Sequence, residues 1–156
     1  MNVYFQYFIT QKPTTMLEIN FMAVLVAVVA NFILGFLWYT PIFGKAWGKE
    51  MGHDPNEKPK SSDMMRGLLF MVIGNFLMAY VFAHNIAAWS FVPDMENMSA
   101  TGNILNSAIF TWLGFYLPGE LGGTVWEKKS WKLFFINTGY HLASLLVVAT
   151  ILILWK

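Results

Sequence analysis

The sequence predicts an all-α polytopic membrane protein, a bundle of four transmembrane helices forming a single domain over residues 1–156. Three observations lead there. Apolar residues make up 56% of the chain and charged residues 12%, with a mean hydropathy of +0.49, a balance that a soluble domain of this size does not carry. Cutting the chain at its charged residues leaves four long uncharged runs, 19–44, 67–93, 97–119 and 133–155. Each supplies the roughly 20 residues needed to cross a hydrocarbon core about 30 Å thick. Aromatic side chains gather at the run ends, with Trp38 and Tyr39 at the first, Trp89 at the second, Trp126 after the third, and Trp131 and Trp155 around the fourth. These are expected to anchor the helices at the membrane interfaces.

The first helix is expected near 17–39. Residues 1–15 lack a basic n-region, and the apolar stretch after them is too long for a signal-peptide core, so this helix should be retained. Met16 offers an alternative start to Met1. The following loop, 40–66, begins with Pro41 as a helix stop, carries glycines at 44, 48 and 52, and then turns polar. Its start mixes Ile42, Phe43 and Trp47 with Lys45 and Lys49, which suits a segment lying against anionic headgroups. The remaining helices are expected near 67–89, 102–124 and 133–155, with a short loop at 125–132.

Orientation follows from the basic residues. Lys45, Lys49, Lys58, Lys60 and Arg66 sit in the first loop and Lys128, Lys129 and Lys132 in the third, against Lys12 and Lys156 in the tails. Loops 40–66 and 125–132 should therefore be cytoplasmic and both termini outside, with the protein in the cytoplasmic (inner) membrane.

The interior-facing positions are not uniformly apolar. Ala23, Ala27, Asn31 and Gly35 step by four residues, and so do Asn75, Ala79, Ala83 and Ala87. Small residues at this spacing form a stripe that lets two helices approach closely. Asn31 and Asn75 fall at the same expected depth, roughly 12 Å from the cytoplasmic helix ends, where each amide can satisfy the other. Asn137, Tyr140, His141 and Ser144 share one face of the last helix, and Trp112, Tyr116 and Glu120 share one face of the third, beside the interruption at Pro118–Gly119. Lipid penalises such groups, so they should turn inward and form one polar layer: Asn31, Asn75, Tyr116, Glu120, Asn137, Tyr140 and His141. An ionisable residue inside a membrane is a functional-site hypothesis by default. The competing reading is that these groups only satisfy one another in packing, with Glu120 reaching toward Lys128 or Lys129.

Several chemistries are excluded or disfavoured. With no cysteine there are no disulfides, thiolate nucleophiles or Cys-ligated metals. His84 and His141 are offset by roughly 13 Å along the helices, too far for the two axial ligands of one haem. Glu50 and His53 form a single Glu-x-x-His in a polar loop, whereas a di-iron bundle needs two such pairs on helices. No nucleophile elbow, phosphate loop or zinc-protease motif is present, so neither a catalytic site, a metal nor another cofactor is expected. Ten basic and nine acidic side chains nearly cancel, which does not suit a nucleic-acid partner. The expected partners are the lipid bilayer and a second copy or another membrane protein.

Two stretches carry a resemblance: Gly35 through Trp47, with Trp38-Tyr39, Pro41 and Phe43-Gly44-Lys45, and Trp131-Lys132-Leu133 followed by Asn137-Thr138-Gly139-Tyr140-His141. From Met16 onward the chain resembles the domain-of-unknown-function 1761 family, small bacterial membrane proteins with about four spans. That resemblance implies location and topology but no activity, substrate or catalytic residue. From the residues themselves, the expectations are small-solute or ion permeation through the polar layer by an oligomer, or a structural or accessory subunit whose buried polar groups only set helix packing.

Overall fold

A computed structural model describes residues 17–54, 60–92 and 97–155. Met1 and Met16, Lys12, Lys58 and Lys156 lie outside the described residues. Among those described, every regular element is helical and there is no strand.

Helix α1, Phe21–Leu37, starts at Asn20, whose side-chain oxygen accepts from Ala23 N at 3.1 Å and so satisfies one of the first-turn N–H groups. It runs directly into a π-helical turn, Trp38–Ile42, that contains Pro41. Proline has no N–H to return to the preceding turn, and the chain widens there instead of stopping. A short helix α2, Gly44–Glu50, follows. It closes with Gly52 at φ 71 while Gly52 N bonds to Lys49 O and His53 N to Gly48 O, the paired bonds of a glycine-terminated helix end.

Helix α3 is Ser61–Trp89. It begins six residues before the expected 67, because Asp63 and Arg66 are disfavoured by lipid but not by a helix, and Asp63 in the first turn complements the helix dipole. Helix α4, Ala100–Thr111, is capped by Ser99 Oγ on Gly102 N at 3.1 Å. It passes through a second π-helical turn, Trp112–Tyr116, into α5, Leu117–Trp126, with Pro118 in the first turn of α5. The interruption expected at Pro118–Gly119 is thus a widened turn lying just before the proline, within an otherwise continuous helical run. Helix α6, Trp131–Leu154, is capped by Ser130 Oγ on Leu133 N.

Three helical stretches are long and apolar enough to cross a membrane, Phe21–Ile42, Ser61–Trp89 and Trp131–Leu154. Their outward faces are covered with large apolar side chains, among them Phe70, Phe110 and Phe135, each more than 60% exposed. Water would not stabilise such a surface, and lipid would, so the chain fits a membrane protein.

Helix α6 occupies the centre. It packs against α1, α3, α4 and α5, and α3 packs against α1. The shared core is Val24, Ala27 and Val28 from α1, Ala79, Phe82 and Ala83 from α3, Ala108 from α4, and Leu145, Val148, Ala149 and Ile153 from α6. Ala23, Ala27 and Gly35 of the first small-residue stripe are buried, as are Ala79 and Ala83 of the second, while Ala87 is half-buried. Two contacts define the ends of the bundle. Asn20 Nδ2 donates to Trp155 O at 3.4 Å, joining the start of α1 to the end of α6. At the opposite end Lys132 Nζ lies 3.7 Å from Glu50 Oε1, holding α2 beside the start of α6.

Candidate functional site

The polar side chains of α5 and α6 meet one to two turns inside the α2 end of the bundle. Glu120, in the first turn of α5, divides its carboxylate between two residues of α6. Asn137 Nδ2 donates to Glu120 Oε2 at 3.4 Å, and His141 Nε2 lies 3.4 Å from Glu120 Oε1. The four-residue spacing of Asn137 and His141 places both on one face of α6, which is why a single carboxylate can reach them. The chain of contacts continues beyond α6. Tyr39 OH donates to Asn137 Oδ1 at 3.2 Å, the Tyr39 and Tyr140 rings meet edge-on at 5.0 Å, and the Tyr116 ring lies 4.5 Å from the His141 ring. Neither ionisable partner is sealed: the side chains of His141 and Glu120 keep 27% and 22% exposure.

Asn31 and Asn75 form a second contact deeper in the bundle. Asn31 Nδ2 donates to Asn75 Oδ1 at 2.9 Å, with both residues buried. Tyr140 stands between the two groups, its hydroxyl packed against Gly35, one helical turn along α1 from Asn31. Tyr140 also hydrogen-bonds the Asn31 side chain and packs on the Tyr39 and His141 rings, so it links the Asn31–Asn75 pair to the Glu120, Asn137, His141 and Tyr39 cluster.

Trp38 and Tyr39, expected to anchor α1 at the interface, instead turn inward. Trp38 Nε1 donates to Ile136 O at 3.0 Å, and Tyr39 reaches Asn137 as described. Trp112 acts in the same way from the other side, its Nε1 donating to Thr138 O at 2.8 Å and lying 3.0 Å from Thr138 Oγ1. The first residue of each π-helical turn thus grips the backbone of α6 beside Asn137. The signal for Tyr39 was present in the sequence, because it is the next four-residue step after Asn31 and Gly35. Its position at the end of an apolar run favoured an interfacial assignment instead.

The groups around the cluster are local in character. Tyr39 also meets the ring of Trp47 on α2 edge-on at 5.5 Å, so the surface helix touches the cluster through this pair. Outside the helices, Glu127 bonds Lys129 at 2.7 Å, and this hydrogen bond raises the lysine pKa. Lys129 is thereby held by Glu127, and Glu120 adds a weaker attraction from further away. His84 is occupied on α3, where Nδ1 lies 2.9 Å from Tyr80 O and the ring packs on Tyr80. His53 packs its ring on Trp47 at 5.3 Å, and Glu50 faces Lys132. Among the described residues no three His, Asp or Glu side chains converge to hold a metal ion.

What the cluster offers chemically is a carboxylate and an imidazole within proton-transfer or cation-contact range, framed by an amide and three phenols. No curated protein and no solved structure matches the chain. Residues 22–153 match the family described as Protein of unknown function (DUF1761), and the chain belongs to that family.

Proposed function

We propose that this is a four-span protein of the cytoplasmic membrane that mediates small-solute or ion permeation, with Glu120 and His141 as the polar contact point on the path. The fourth crossing is the helical run 100–126, roughly 40 Å long by the helical rise. Its support is topological. The Asn20 to Trp155 hydrogen bond puts the start of the first span and the end of the last at one end of the bundle. Three crossings would leave them at opposite ends, whereas four bring them together. The basic residues of loops 40–66 and 125–132 assign the other end to the cytoplasm.

The observation that carries the permeation reading is the Glu120–His141 contact. Two ionisable groups within the membrane, held at 3.4 Å and left partly open, are a costly arrangement for packing alone. A dry structural pair would be expected to be shorter and more fully enclosed. Four helices enclose little room, so the path is completed by association of copies. Purified protein in liposomes is expected to conduct an ion or small solute in a flux screen. Glu120→Gln and His141→Ala should abolish that flux while leaving helicity and thermal unfolding unchanged. Absence of flux across a broad panel of ions and small solutes would overturn the reading.

A structural or accessory role is favoured by a different observation, the buried Asn31–Asn75 pair, which fixes the register of α1 against α3. On that reading Glu120→Gln lowers stability and no flux exists to lose.

A further inference from the structure

A second polar recess lies at the other end of the bundle, far from Glu120. A cavity of about 460 Å³ opens where α1 begins, α3 ends, α4 begins and α6 ends. That volume falls within the usual range of small-molecule sites. We propose that it binds a small organic cation, a primary ammonium carrying a short apolar chain, and this goes beyond the permeation reading without resting on it.

The case rests on the sign of charge that the lining favours. Three side-chain donors at the cavity wall are already engaged, Asn20 Nδ2 on Trp155 O, Asn103 Nδ2 on Met98 O and Ser90 Oγ on Ala87 O, while Ser107 and the two indoles add neutral donors. The two helix starts, which would otherwise attract an anion, are capped by the side chains of Asn20 and Ser99. The acceptors that remain point the other way. Glu18 lines the cavity with a carboxylate that has no partner among the described residues. Leu152 and Ile153 belong to the last turn of α6, where carbonyls lack helical donors and the dipole favours positive charge.

The rest of the lining fits the remainder of such a ligand. Trp89 and Trp155 offer indole faces, which attract a cation, and Ala23, Ala83 and Ala87 supply a shallow apolar floor. A carboxylate, two indoles and a helix C-terminus select an ammonium over an anion or a neutral alcohol.

The test is calorimetric titration of the full chain in phosphatidylcholine nanodiscs with n-butylammonium, n-butanol and butyrate. Saturable binding of butylammonium with one site per chain is expected, with no saturation by butyrate. Glu18→Gln should weaken it about tenfold, the size of one charge-assisted hydrogen bond. Ala87→Leu, which fills the floor, should remove it. Glu120→Gln should bind as the unaltered protein does, which separates this site from the cluster at the other end. Equal binding of butanol, or an unchanged affinity in Glu18→Gln, would show an apolar recess filled by lipid and overturn the proposal. So would no saturable binding by protein of normal helicity. Glu18 is exposed and outside the core, so its substitution remains informative if Ala87→Leu fails to fold.

Discussion

Asn31 donates one hydrogen bond to Asn75 across two stripes of small residues, and that bond leaves Asn31 Oδ1 and Asn75 Nδ2 buried without partners. The pair therefore holds two helices in register while staying only half satisfied. Truncating Asn31 strands the Asn75 amide, and truncating Asn75 leaves Asn31 with only its contact to Tyr140. Asn31→Ala and Asn75→Ala should each destabilise the bundle by about 1 kcal/mol, near the average for hydrogen bonds between membrane helices. The double substitution should cost less than the sum of the two, since no amide is then left unpaired. Reversible unfolding in bicelles measures all three.

Gly35 and Tyr140 make a second close approach. A Cβ at position 35 would lie 3.1 Å from the Tyr140 hydroxyl, tighter than ordinary contact. Gly35→Ala should cost about 1 to 2 kcal/mol through overpacking. Tyr140→Phe removes the offending oxygen and should recover part of the loss. A recovery of zero would place the strain elsewhere.

The two indole grips on α6 predict a paired effect. Trp38→Phe and Trp112→Phe keep the aromatic bulk but lose the donors to Ile136 O and Thr138 O. Each should cost about 1 kcal/mol. Both should also speed amide hydrogen exchange around residues 136–142 of α6, next to the Glu120 contacts, while leaving exchange near Val148 unchanged.

The topology is open to direct labelling because the chain has no cysteine of its own. Single substitutions Asn97→Cys and Lys156→Cys should react with a membrane-impermeant maleimide added to intact cells. Ser61→Cys and Lys128→Cys should react only after permeabilisation. Labelling of Ser61→Cys in intact cells would reverse the orientation, and labelling of Lys128→Cys and Asn97→Cys from the same side would remove the crossing by 100–126.

Much of this architecture is legible in the sequence because lipid imposes simple rules on length and polarity. The uncharged runs locate the helices, and the four-residue steps of Ala23, Ala27 and Asn31 mark residues that are buried. Charge was a poor guide to helix ends, since Asp63 and Arg66 lie within the first two turns of α3 and not before it. The π-helical turns were less accessible still. Each adds a residue to one turn and so rotates everything beyond it relative to an ideal helical wheel. That rotation accompanies the inward turn of Trp38, which no spacing argument based on a regular helix anticipates, whereas Tyr39 continues the four-residue steps of Asn31 and Gly35. Asn137, His141 and Glu120 were easier, because they lie on regular stretches flanking one short connection.

The clasp between Asn20 and Trp155 has a practical consequence for engineering. A chain whose first and last helices meet at the same end can be fused in tandem to a second copy through a short polar linker, with both copies inserted the same way up. Such a covalent pair would fix subunit stoichiometry at two and let one protomer be altered while its neighbour is kept intact.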